Sequence, residues 1–177
     1  MSILSDLNFG LFTAGAPNYS LHALPVVLFF AALPHWWAIA TVERLQRDPK
    51  HPFFRGGWDN QNPRAWVARL NAHVAAGKRL SPLEQRVLRA QSAQQNGFES
   101  FAQIAAAILA GNFARLPSHE LNRVAAIYLA TRLVYNYLYV TTGSKSFSFV
   151  RTIVFNTGTF VLVRLLFRAG NALRYAA

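Results

Sequence analysis

The sequence predicts an all-α fold, an integral membrane four-helix bundle, and three observations carry that expectation. Apolar residues make up 53% of the 177-residue chain and charged residues only 14%, with a mean hydropathy of +0.17. A water-soluble domain carries about 25% charge, and a disordered chain is far less apolar. The apolar residues also gather into four long blocks, where a soluble fold would scatter them in short periodic runs. Charge gathers as well: eight of the eighteen Lys and Arg residues lie between Arg44 and Arg79, as in a membrane protein that concentrates its cations in one loop.

The first block, residues 21–42, has no formal charge, and a helix needs about 20 residues at about 1.5 Å each to cross the hydrocarbon. Pro25 and Pro34 fall inside it, which is tolerated where neighbouring helices satisfy the freed carbonyls. The second span, 82–113, opens on Ser81-Pro82-Leu83-Glu84: a hydroxyl cap, a proline at the first helical position and a glutamate three residues after the cap. It is polar on one face through Gln95 and apolar from Phe98 to Phe113 with Glu99 embedded, so its start should project beyond the membrane. The third span is 121–142, entered through Pro117-Ser118-His119-Glu120, and the fourth is 147–167, after the tight turn Gly143-Ser144-Lys145-Ser146. Short connections make each neighbouring pair antiparallel, and residues 1–177 form one domain.

The long connection, 43–80, is basic. Asn62 is placed to cap a helix over about 63–76, Pro63 suits its first turn, and Trp66, Leu70 and Val74 recur every fourth residue before Gly77 ends the pattern. A short amphipathic helix on the membrane surface fits this stretch. Because cytoplasmic flanks collect Lys and Arg, the 43–80 loop and the Lys145 turn are expected inside, with both termini and the 115–120 connection opposite. The first 18 residues contain Asp6 but no Lys or Arg, unlike the basic start of a cleaved signal, so the first hydrophobic block is expected to be retained.

Net charge of +11 is read as topology plus anion handling, with no nucleic-acid partner. The chain has no cysteine, which excludes disulfides, thiolate metal sites and a protein thiol nucleophile. No metal is expected, since His35 beside Trp36 and Trp37 has no second ligand at a suitable spacing. Phosphate loops, dinucleotide fingerprints and Gly-x-Ser-x-Gly or His-Glu-x-x-His motifs are also absent.

Ionisable and amide side chains inside the spans are costly and by default mark function. On the second helix these are Arg89, Gln94, Asn96 and Glu99. At 100° per residue Arg89 and Asn96 differ by about 20° from whole turns and Asn96 and Glu99 by about 60°, which places the three on one face. They are either a ligand site or polar glue between helices. On the third helix Arg132, Tyr135 and Tyr139 stack on a stripe with Tyr128, as a site or as part of an interfacial aromatic belt; the belt suits Tyr137 better. Arg151, early in the fourth span, either faces the same site or snorkels to headgroups.

These residues resemble a known family, the membrane-associated proteins in eicosanoid and glutathione metabolism (MAPEG). Arg89-Ala90 followed by Gln94, Asn96, Glu99 and Phe101 looks like the second-helix signature of these proteins, and Arg132-Leu133-Val134-Tyr135 with Tyr139 like the third-helix pattern. Arg151 stands where many members carry an arginine, and 58–64 looks like the fungal version. The resemblance implies a homotrimer that binds glutathione between subunits near the cytosolic side. By that analogy Arg89, Gln94, Asn96 and Glu99 hold its charged ends and Tyr135 and Tyr139 contact it. The best-known members place the arginine four residues before the asparagine, where this chain has Ser92, so Arg89 sits about 5 Å nearer the loop.

Glutathione carries two carboxylates and an ammonium, so its site needs fixed cations and an anion; Arg89, Arg132, Arg151 and Glu99 supply both. A thiol with a pKa near 8.5 is mostly protonated at neutral pH, and a neighbouring arginine raises its thiolate fraction. The expected function is a glutathione transferase acting on a lipophilic electrophile, with Arg151 stabilising the thiolate and Tyr139 donating a hydroxyl to it. Glutathione serves as co-substrate or, in a glutathione-dependent isomerase, as cofactor. A different class of reading is a non-catalytic lipid-binding scaffold trimer. The chain is expected to be multi-pass, in the endoplasmic reticulum or another intracellular membrane.

Overall fold

A computed structural model describes residues 10–174, except for the side chains of 145–147. Asp6 and the Lys145 side chain, which entered the topology argument, lie outside the described residues. Every regular element in this range is helical: α1 (Ala23–Leu45), α2 (Pro63–Ala75), α3 (Pro82–Phe113), α4 (Ser118–Thr141) and α5 (Lys145–Arg174). Short 3-10 turns at Ser20–His22 and Pro52–Phe54 lead into α1 and punctuate the basic connection.

Local chemistry sets the boundaries. Ser81 Oγ accepts the Glu84 N–H at 3.3 Å while Glu84 Oε2 accepts the Ser81 N–H at 2.8 Å, the reciprocal cap written in the sequence. Buried Glu84 also accepts the Phe53 N–H at 3.2 Å, so one carboxylate fixes both the start of α3 and the loop before it. Asn62 departs from expectation. Its side chain makes no cap at α2; Asp59 Oδ1 instead accepts the Gln61 and Asn62 N–H groups at 3.0 and 2.9 Å, which turns the chain into the helix.

α3 and α4 each pack against the other three long helices, with α1 and α5 on their flanks. The side-chain contacts give the directions. Paired residues along α1/α3, α3/α4 and α4/α5 run in opposite senses, as in Asn96–Tyr135 and Tyr139–Arg151, and those along α1/α4 run in the same sense. Small residues allow the close approaches: a Cβ on Gly97 would sit 2.8 Å from Ala31 Cβ, and one on Gly158 would sit 2.8 Å from Thr131 Oγ1.

Among the described residues two stretches, Ser20–Leu45 and Ser148–Arg174, are long and apolar enough to cross a membrane, against the four expected. Helix α3 carries Arg86, Arg89, Glu84 and Glu99 along with several glutamines, and α4 carries Glu120, Arg123 and Arg132, which lowers their hydropathy. The two apolar helices do not hide their apolar side chains inside the chain. Phe149, Phe160 and Phe167 on α5 are 75%, 68% and 70% exposed, and Phe29 and Trp36 on α1 are about half exposed. That surface fits lipid and not water.

Helix α2 buries Trp66 and Leu70 against Phe54, Trp58 and Val87 at the end of α1 and α3, while Val74 stays exposed. Most of its apolar stripe is therefore taken up by the chain's own core.

Pro34 lies in mid-helix and has no N–H for the Phe30 carbonyl. Asn136 Nδ2 on α4 donates to that oxygen at 2.7 Å, the cross-helix repair that makes the proline tolerable. Asn136→Ala should lower stability by about 1 kcal/mol, since interhelical bonds of this kind average somewhat less and an orphaned carbonyl somewhat more. The loss should vanish in a Pro34→Ala background, where Phe30 regains its own helical donor. Thermal unfolding of the four variants in detergent checks this cycle; equal losses in both backgrounds would deny the coupling.

Candidate functional site

The antiparallel register of α4 and α5 sets Tyr139 beside Arg151 and Tyr135 beside Phe155. The Arg151 guanidinium lies 4.4 Å from the centre of the Tyr139 ring and its Nη2 donates to Ser148 Oγ at 3.0 Å. Tyr135 and Tyr139 are one turn apart, with ring centres separated by 5.4 Å, and Phe155 is 5.7 Å from Tyr135. From α3, Asn96 Nδ2 donates to the Tyr135 hydroxyl at 2.9 Å. These residues with Ser148 and Thr152 line a cavity of about 360 Å³ between α3, α4 and α5, inside the about 300–1,000 Å³ range of small-molecule sites.

Arg89 caps the end of α4 near this cavity, donating through Nε and Nη2 to the Val140 carbonyl at 3.3 Å each. Arg132 is placed otherwise. It is buried beneath the tyrosines, its guanidinium 4.7 Å from the Tyr128 and Phe155 rings and 5.6 Å from Tyr135, and Nη1 and Nη2 have no hydrogen-bond partner among the described residues. Two walls of the cavity, Tyr135 and Phe155, therefore rest on a cation held by aromatic faces.

Glu99 and Gln94 stand apart from this cluster. Glu99 is exposed, accepts from Gln95 Nε2 at 2.9 Å, and with Gln94, Phe98, His35 and Arg64 lines a groove of about 740 Å³ between α2 and α3. The roughly 60° between Asn96 and Glu99 is the reason: it leaves Asn96 on the α4 side of α3 and turns Glu99 toward the flank. His35 Nδ1 lies 3.0 Å from Gln91 Oε1 and its ring meets the edge of Trp58 at 5.4 Å, a hydrogen-bonded packing role. Among the described residues, no three His, Asp or Glu side chains gather as a metal-holding group.

The model of the MAPEG family matches residues 22–171, which hold this cavity. The chain belongs to the MAPEG family. No curated protein and no solved structure matches it.

In this MAPEG protein the matched region includes the whole cavity and the four long helices except the last three residues of α5. Ser148, Thr152 and Phe155 were not singled out from sequence, yet they follow from it: with Arg151 they form a three-and-four stripe on α5. The arrangement presents a cation beside a tyrosine ring, a phenol held by an amide donor, two hydroxyls and an apolar wall. It can hold an anionic sulfur or oxygen next to an apolar reactant.

Proposed function

We propose that this MAPEG protein is an integral membrane glutathione transferase, a homotrimer of four-span bundles that joins glutathione to a lipophilic electrophile. The observation that carries the reading is the convergence of Asn96, Tyr135, Tyr139 and Arg151 on one cavity. Arg151 is the cation for the thiolate and Tyr139 the neighbouring hydroxyl donor. Phe149 and Ile153 on the same helix are exposed apolar side chains, a lipid-facing surface on the far side of α5 from the cavity that fits a site embedded in the bilayer, where a lipophilic electrophile dissolves. Glutathione loses its thiol proton to solvent and attacks through sulfur, forming the carbon–sulfur bond; in a substitution the leaving group departs with the electron pair of its bond to that carbon, and in an addition the acceptor's π electrons take a proton from solvent.

The groove holding Gln94 and Glu99 supports a site completed between copies. Glutathione needs an anchor for its ammonium, and Glu99 is the only carboxylate in α3 beyond its first turn. A second copy seated against that groove would bring its own cavity toward the glutamate. With the 43–80 loop in the cytosol, the cavity lies toward the cytosolic end, where glutathione is supplied, and an intracellular membrane such as the endoplasmic reticulum is the expected location.

Calorimetry of the purified protein in detergent should show glutathione binding, native mass spectrometry should show a trimer, and lipophilic electrophiles should be consumed in proportion to glutathione. Recovery of free glutathione after turnover would assign the isomerase chemistry instead. Absence of both binding and turnover would leave the scaffold reading.

A further inference from the structure

At the end of the molecule opposite the basic loop, the first turns of α4 and the last turns of α5 enclose a groove of about 220 Å³. Three arginines converge on it, Arg123 from α4 and Arg164 and Arg168 from α5, with His119 beside them. The single carboxylate lining it among the described residues, Glu120, is held by Arg168 at 2.5 Å. Arg123 and Arg164 are exposed and make no ion pair or side-chain hydrogen bond among the described residues. Three arginines against one glutamate leave two uncompensated cations, at the end of the bundle where the charge bias of membrane proteins disfavours them.

We propose that this groove binds an anionic phospholipid, with Arg123 and Arg164 on the headgroup phosphate and the start of an acyl chain on the apolar floor. The order of residues along both helices matches a lipid. Moving inward from the end, α4 passes from Arg123 to Val124 and Ile127, and α5 from Arg168 and Arg164 to Val161. Four residues of helix, about 6 Å, separate Arg168 from Arg164, so long side chains from both positions reach headgroup level. A soluble phosphate would need the cations but not the strip beneath them, Val124, Ile127 and Val161, of which Ile127 is exposed. Planar guanidinium groups match phosphate oxygens bidentately. The site is distinct from the Arg151 cavity, since Arg151 and Arg164 are 13 residues, about 20 Å, apart along α5.

The test is native mass spectrometry of the full-length protein in detergent with equal amounts of palmitoyl-oleoyl phosphatidylglycerol and phosphatidylcholine. The wild type should retain the anionic lipid at about one per subunit with at least about tenfold preference. The double variant Arg123→Gln/Arg164→Gln should lose about 30-fold in that retention, with thermal unfolding in detergent unchanged because neither side chain has a partner to lose. A photoactivatable acyl chain on phosphatidylglycerol should label Ile127 or Val161 in the wild type, a readout that does not depend on the variant folding. Equal retention of the two lipids, label confined to other helices, or retention unaltered in a folded double variant would each overturn the proposal. Displacement of the lipid by millimolar inorganic phosphate would assign the cations to a soluble anion and overturn it too.

Discussion

Replacing Arg151 with alanine should slow glutathione conjugation by at least about tenfold at pH 7 while leaving glutathione binding within a few fold. The guanidinium is held at the cavity from two sides, by Ser148 at 3.0 Å and by the Tyr139 ring at 4.4 Å, so it is a fixed charge and not a mobile one. A fixed cation in a place screened from bulk water favours the thiolate over the thiol. Without it the bound thiol should return toward a pKa of about 8.5, and only a small fraction is then ionised at pH 7. Binding persists because the sulfur is one of several anchors. Raising the pH should recover part of the lost rate, since hydroxide then does what the cation did. An arginine that only reaches for headgroups predicts little change in rate and no recovery with pH. Titration of the thiolate absorbance of the bound complex separates the two cases: coincident curves for wild type and variant would move the thiolate role to Tyr139 or away from any single residue.

The parts of the fold that depend on local chemistry were legible in the sequence, and those that depend on a partner helix were not. Ser81 and Glu84 cap α3 as their spacing requires, because both partners lie within one turn. Pro34 announced an orphaned carbonyl but not its donor, since Asn136 is distant in the chain and reaches Phe30 only after α1 and α4 pack. Asn62 read as a cap because its type and position were right, yet Asp59 three residues earlier took over the turn. The stripe of Arg132, Tyr135 and Tyr139 was read correctly as one face, but not its depth: Phe155 of α5 closes over Arg132, and that contact is a property of register between helices. Helical angles alone could not separate Glu99 from Asn96 either. A 60° offset is a shared face when nothing stands beside the helix, and two faces once α4 occupies one side and the α2 groove the other.

That separation gives Glu99 the sharper test. Glu99→Gln should weaken glutathione binding by about 10- to 150-fold, the range for losing one charge-assisted hydrogen bond to the ligand's ammonium. Folding should be little affected, because the side chain is exposed and glutamine keeps its shape and can still pair with Gln95. If Glu99 only stabilises contact between copies, the variant should lose trimer stability with nearly unchanged affinity in the trimers that survive. Mixing decides whether the glutamate and Arg151 serve one site from two subunits. In a homotrimer where each site takes Glu99 from one copy and Arg151 from the next, a subunit with Arg151→Ala can lend its intact Glu99 to a neighbour with Glu99→Gln. Random co-assembly of the two variants should then restore about a quarter of the sites to wild-type composition. If both residues act within one subunit, no mixture contains an intact site, and activity should stay at the average of the two parent variants.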